Sequence, residues 1–215
     1  MMQHKTMIGT MIGSQVRDSF EDRMRRIASV NLRAASMAVT EMHPDSARWF
    51  CLQVQKGREF AVEKEMLEAN VEAFMPREKW VQVRHGRKIE GERPYLAGYI
   101  LVRCVPSPNA FHGLRRQRFV VDIVGGSDGR YHVVRDEDVS VFKSLIEKPN
   151  VSRMATDKSF GDGDRAEITF GPFAGFTCLV VSVEWCREAW ASVVIELSGK
   201  VFPISRIPLA FLKKL

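Results

Sequence analysis

Gly125-Gly126-Ser127-Asp128-Gly129 has the G-x-S-x-G spacing that in hydrolases exposes a serine nucleophile on a tight turn between a strand and a helix. The residues that follow, Arg130-Tyr131-His132-Val133-Val134, favour extended backbone over helix, so the glycines are read as a turn. The five histidines show no H-E-x-x-H or comparable ligand spacing, and no G-x-x-x-x-G-K-[ST] phosphate loop is present. The four cysteines, Cys51, Cys104, Cys178 and Cys186, contain no C-x-x-C pair and are read as reduced core thiols rather than a disulfide framework or a zinc site. No catalytic constellation, metal or cofactor is expected, and binding is the chemistry left to consider.

Three basic groups offer it: Lys56 with Arg58, Arg84 with Arg87 and Lys88, and Arg115 with Arg116 and Arg118. Of the formal net charge of +6, residues 46–153 hold +5. That excess suits nucleic-acid contact or a plain solvated face, and falls short of an autonomous high-affinity DNA binder. Tyr99 and Leu101 alternate with Ile100 and Val102, so one pair can face a core while the other faces a partner. Phe173 and Phe176 flank a short loop after Gly171-Pro172, where they either present aromatic surface or fill a small core.

The elements that must position these side chains fit two domains in 215 residues, with a globular composition of 45% hydrophobic and 27% charged residues. No apolar run is long enough to span a membrane, and Met1 to Thr10 lack the apolar core of a signal peptide, so a cytoplasmic protein is expected. Residues 1–45 read as a mobile extension with one helix near Asp18 to Met37. Residues 46–147 alternate β-prone runs with helical ones: a strand at Trp49 to Val54, a helix at Glu59 to Asn70, strands at Ala73 to Met75, Trp80 to Arg84, Tyr99 to Cys104 and Phe119 to Val124, and helices opened by Ser107-Pro108 and by Asp136. The order predicts an α+β domain whose antiparallel sheet is flanked by helices. Residues 148–159 read as a linker with an r.m.s. span of roughly 20 Å, which would let the halves move independently. Residues 160–215 hold short β-rich runs broken by Gly171, Pro172, Gly175, Gly199, Pro203 and Pro208. They predict a small β-barrel rather than helices.

Ile168-Thr169-Phe170-Gly171-Pro172-Phe173-Ala174-Gly175-Phe176, preceded by Gly161-Asp162-Gly163-Asp164, resembles the KOW motif of the NusG family of transcription elongation factors. Cys178 stands where that family has a glycine. Arg48-Trp49, Val71 to Pro76 and Glu92-Arg93-Pro94-Tyr95-Leu96-Ala97-Gly98-Tyr99-Ile100-Leu101-Val102 resemble the family's N-terminal domain, with Ala97 in place of a proline. The resemblance implies an SH3-like KOW barrel after an RNA polymerase-binding domain. It implies that Tyr99 and Leu101 grip the polymerase clamp helices, that Asn109, Ala110, Phe111 and His112 approach its gate loop, and that Lys56, Arg58, Arg115, Arg116 and Arg118 lie near the displaced non-template DNA strand. It further implies that Phe173 and Phe176 help the barrel of a monomer recruit Rho or a small-subunit ribosomal protein. The departures at Ala97 and Cys178 and the N-terminal extension fit a specialised paralogue. KOW motifs also occur in ribosome- or RNA-associated proteins, which is the alternative reading, and a hydrolase built on Ser127 is a distant third.

Overall fold

Along β1 (Arg48–Val54), Trp49 and Cys51 point to one side while Phe50, Leu52 and Val54 point to the other, and all five are buried. A strand buried on both faces must lie inside a sheet covered on both sides. The computed structural model describes residues 20–84, 87–125, 130–147, 159–185 and 189–215. The G-x-S-x-G turn from Gly126 onward, the tip residues His85 and Gly86, Cys186 and most of the expected linker lie outside the described residues.

Before β1 come α1 (Phe20–Leu32) and α2 (Met37–Met42). After it come α3 (Glu59–Glu68), β2 (Glu72–Phe74), β3 (Arg77–Arg84), β4 (Arg87–Pro94), β5 (Tyr99–Cys104), α4 (Pro108–Arg115), β6 (Val120–Ile123), β7 (Val133–Val134) and α5 (Asp136–Glu147). The first sheet has the order β2-β5-β1-β6, with β7 also paired to β1, and each of these pairings is antiparallel. Its register sets Phe50 opposite Val102 and Cys51 opposite Leu101. On one face Phe50, Leu52, Ile100 and Val102 pack with Val62, Met66, Ala110 and Leu114 from α3 and α4. The N-cap of α4 is Ser107, whose hydroxyl accepts a hydrogen bond from the Ala110 amide at 3.1 Å, with Pro108 in the first turn.

β3 and β4 form a separate hairpin. Sequence reading missed β4, because Arg-Lys-Ile-Glu-Gly-Glu-Arg-Pro has no apolar alternation. Cross-strand charge pairs mark it instead: Arg93 Nε lies 2.6 Å from Glu78 and Arg77 lies 3.3 Å from Glu92.

The C-terminal half is β-rich, as expected, with β8 (Arg165–Ile168), β9 (Thr177–Glu184), β10 (Trp190–Leu197), β11 (Lys200–Pro208) and β12 (Leu212–Lys214) in the order β11-β10-β9-β8-β12. Irregular register in β10 against both neighbours bends that strand. Ala166, Ile168, Val180, Val193, Ile195, Phe202 and Ile204 fill the interior.

Two expectations are corrected here. Residues 20–45, read as part of a mobile extension with one helix near Asp18 to Met37, do form a helix there, Phe20–Leu32, but they are packed rather than free: Leu32 and Ala35 are buried in the same core as Val62 and Leu114, and the Met37 amide donates to the Asn70 carbonyl at 2.7 Å. The barrel, read as moving independently of the first domain, sits against it. Trp49, Tyr95, Tyr99, Leu101 and Phe142 share one continuous apolar cluster with Phe173, Trp190, Phe202 and Phe211. The reason is the same in both cases. Apolar surface that a single segment cannot bury is covered by another segment, and local composition does not say which one.

Candidate docking faces and basic surface

Tyr99 and Leu101 lie on the face of β5 opposite Ile100 and Val102, as the alternation predicts, yet they are only 2% and 1% exposed. The barrel covers them. The Tyr99 ring meets Phe173 edge-on at 5.1 Å between centroids, and its hydroxyl donates to the Pro203 carbonyl at 3.1 Å. Burial pushes the Tyr99 phenol well above its ordinary range, so it stays protonated and a donor. Tyr95 adds edge contacts to Phe142 and Trp190. Around this apolar centre runs a polar rim. Lys200 of the barrel pairs with Asp122 of β6 at 2.7 Å, Arg206 pairs with Glu78 of β3 at 2.7 Å, and Lys56 hydrogen-bonds the Ser205 hydroxyl.

Phe173 is buried in that interface and Phe176 is half-buried. The Phe176 ring lies 4.4 Å from His132, edge to face. The two candidate partner sites, Tyr99 with Leu101 and Phe173 with Phe176, thus face each other across the domain junction. Burial lowers the pKa of His132 against the opposing effects of a hydrogen bond to the Pro172 carbonyl and the nearby Asp138 charge. A base whose pKa is depressed on closure binds its proton better when the domains part. Closure should therefore be fullest above about pH 6.5 and weaken as the pH falls below that value. Domain proximity followed by a fluorescent donor–acceptor pair across this pH range should show the opening, and His132→Gln should flatten it.

Asn109, Ala110, Phe111 and His112 are placed on the other face of the sheet. Ala110 is buried on the face of α4 that packs on the sheet, Phe111 packs edge-on against Phe50 at 4.9 Å, and His112 Nδ1 lies 2.9 Å from the side-chain amide nitrogen of Asn31 in α1. The structure therefore does not bring this group together with Tyr99 and Leu101.

The basic candidates separate as well. Arg58 and Arg118 both approach one ring, Phe119, at 4.9 and 4.5 Å from its centroid. Phe119 has φ of +66°, a left-handed conformation rare for a bulky residue. Its carbonyl is held by the Gln55 amide at 2.9 Å. Arg115 lies 3.1 Å from Asp122, while Arg116 is exposed and makes no ion pair among the described residues. Burial alone would raise the Asp122 pKa, but hydrogen bonds from Lys200 and the Ile123 amide, with the Arg115 charge, hold it below the ordinary carboxylate value.

Sequence reading did not single out Glu59, a positioning residue. It is 1% exposed, and its carboxylate accepts the Gly98 amide at 2.8 Å. Gly98 has φ of +88°, so the turn into β5 needs a residue without a Cβ there. A glutamate in the first turn of α3 was the available signal, but its partner is 39 residues away. The described cysteines behave as core thiols, with burial pushing Cys104 up to about 12 and Cys178 up to about 11. Among the described residues no helix is long and apolar enough to cross a membrane, and no group of three potential metal ligands is found.

Residues 47–143 match the family described as transcription termination factor NusG. The chain is 25% identical over 166 residues to the transcription termination/antitermination protein NusG of Yersinia pestis, covering 73% of this chain and 91% of that protein. It is 26% identical over 167 residues to the protein of the same name from Vibrio cholerae, covering 73% and 90%. Among solved structures it is similar to one titled "Domain interaction in Thermotoga maritima NusG", at 19% identity and a TM-score of 0.39, covering 79% of this chain and 97% of that one.

Proposed function

We propose, from the match of residues 47–143 to the NusG family, that this chain is a member of it and a bacterial transcription elongation and antitermination factor that binds RNA polymerase through the β5 face of its first domain. It acts by binding rather than catalysis, as a cytoplasmic monomer. The observation that carries this reading is an apolar sheet face, bearing Trp49, Tyr99 and Leu101, that the first domain's α3 and α4 leave to the barrel. Removing the barrel would uncover aromatic and aliphatic anchors of the kind that dominate protein interfaces. The polymerase clamp helices are the partner for that face, and α4 on the other side approaches the gate loop. Holding both sides of the cleft would disfavour the paused polymerase.

The barrel and the polymerase compete for one surface, so polymerase docking releases Phe173 and Phe176 for Rho or a small-subunit ribosomal protein. By linkage, either partner then raises the other's affinity by the same factor. Lys56, Arg58, Arg115, Arg116 and Arg118 contact the non-template strand, and Lys56 must first leave Ser205.

A fluorescence titration of core RNA polymerase tests the docking face. Tyr99→Ala with Leu101→Ala in the full chain is expected to weaken binding by about 2–4 kcal/mol, the range of interface anchors. Truncating these residues also loosens closure, which acts in the opposite direction, so the measured loss is a lower bound. Undiminished affinity of the folded double variant would overturn the assignment.

A further inference from the structure

The sheet face bearing Tyr99 and Leu101 is not uniform in charge along its length. Alternation along β5 puts Arg103 on the same side, and the register sets Tyr99 opposite Gln53, and Arg103 opposite both Trp49 of β1 and Glu72 of β2. About 13 Å of strand separates the Tyr99 end from the Arg103 end. Around the Tyr99 end the acids Asp122 and Glu78 each have a cation within the first domain, Arg115 and Arg93, besides Lys200 and Arg206 of the barrel. The Arg103 end is built the other way. Lys143 Nζ of α5 stands 5.0 Å from the centroid of the Trp49 ring and 4.8 Å from that of Phe74. Those rings belong to β1 and β2, the two neighbours of β5, so the ammonium sits above β5 beside Arg103.

Among the described residues Lys143 has no ion pair, and the single acid of Arg103 is Glu72, at 3.6 Å. Arg103 Nε is buried without a hydrogen-bond partner. Two cations therefore share one loosely held carboxylate. Arg103 is 29% exposed and Lys143 half-buried, so in the free chain water screens the excess charge. A partner seated on this face removes that water, and a desolvated cation without a counter-charge is strongly unfavourable.

We propose that the β5 face selects its polymerase segment by a carboxylate, an aspartate or glutamate side chain of the partner seated between Arg103 and Lys143. The guanidinium reaches it through its terminal nitrogens, and the ammonium is already placed by Trp49 and Phe74, so little side-chain freedom is lost on binding. Tyr99 and Leu101 offer apolar contact to any apolar helix. The cationic end adds direction and choice, because a segment docked in the reverse sense, or bearing a base here, would bring like charges together. A phosphate carries the same charge but would bring hydrophilic sugar onto Trp49 and Leu101, whereas an acidic side chain on a protein segment brings apolar neighbours. The proposal rests on reading the β5 face as the polymerase-docking surface.

The test is a fluorescence titration of core RNA polymerase with the full chain. Lys143→Met, which keeps the aliphatic stem on the two rings and removes the charge, is expected to weaken binding about tenfold at low salt and to flatten its salt dependence. Lys143→Arg, which keeps the charge, is expected to stay within about twofold of the unaltered protein. In the complex a carbodiimide, which joins an amine to an adjacent carboxylate with loss of water, is expected to link Lys143 to a polymerase peptide, and Lys143→Arg to abolish that link. Circular dichroism confirms folding of each variant. Unchanged affinity and salt dependence for Lys143→Met, with Tyr99→Ala and Leu101→Ala together still weakening binding, would overturn the carboxylate seat and leave the docking face standing. Equal losses for the methionine and arginine variants would make Lys143 a packing residue, and a tenfold loss without the crosslink would put a different group there; either result overturns the proposal. If no variant moves the titration, the Tyr99 and Leu101 pair included, the docking face itself is wrong.

Discussion

Lys200→Glu combined with Arg206→Glu is expected to tighten binding of core RNA polymerase by about tenfold. In the closed arrangement these side chains sit 2.7 Å from Asp122 and Glu78, and they are 32% and 30% exposed. Each reversal removes an attraction and puts two carboxylates in its place. For partly screened pairs the two together are worth about 1–2 kcal/mol. That energy is lost from the closed state alone, because in the open state residues 200 and 206 no longer face these acids, while Asp122 and Glu78 keep Arg115 and Arg93. The apparent dissociation constant is the intrinsic one divided by the fraction of open molecules, so raising that fraction raises affinity with no new contact to polymerase. Arg206 also stacks over Trp190 within the barrel at 3.7 Å, so its substitution weakens the barrel itself. Lys200→Glu alone, which leaves that stack intact, should give about half the free-energy change. An unchanged titration for both variants would mean that the barrel does not compete with polymerase for the β5 face. Raising the salt concentration should mimic the substitutions in the unaltered protein, since the rim pairs are screened.

What was legible in the sequence was whatever local pattern determines. The alternation in Tyr99-Ile100-Leu101-Val102 predicts a strand with two distinct apolar faces, and the faces separate as expected. Ser107-Pro108 predicts the start of α4, and the glycines and prolines of the C-terminal half predict strands rather than helices. Long-range pairings were not legible. Nothing local distinguishes a Tyr99 awaiting a partner from a Tyr99 already covered by Phe173, because both are apolar residues on a strand. β4 escaped notice because it is stabilised by charges across a hairpin, and Glu59 because its meaning depends on a backbone amide 39 residues away. The candidate basic residues were visible as types. That Phe111, His112, Arg115 and Arg116 line one cleft while Lys56 faces the barrel depends on helix direction and strand order.

The N-terminal helices are the element for which sequence and structure differ most, and the sign of one substitution decides between them. Gly113 lies within α4, where a glycine costs about 1 kcal/mol relative to alanine in an exposed helix. If α1 were a mobile extension, Gly113→Ala would stabilise the protein by about that amount. In the structure α1 crosses α4 so closely that a Cβ at position 113 would fall 2.5 Å from the Leu32 nitrogen and 2.7 Å from its Cα. Those are backbone atoms, with no flexible side chain to move aside, so α1 must shift and draw Leu32 and Ala35 out of the core they share with Leu114. Overpacking of this kind costs about 1–3 kcal/mol, which exceeds the gain in helix propensity. Gly113→Ala is therefore expected to destabilise the full chain by about 1–2 kcal/mol in urea denaturation. Deleting residues 1–46 should itself cost about 2–4 kcal/mol, the scale of removing a buried leucine. In the truncated protein Gly113→Ala should change sign and become stabilising. Measuring all four proteins closes a double-mutant cycle whose coupling energy reports the α1–α4 contact directly. A coupling near zero would return residues 20–45 to the mobile extension that their composition suggests.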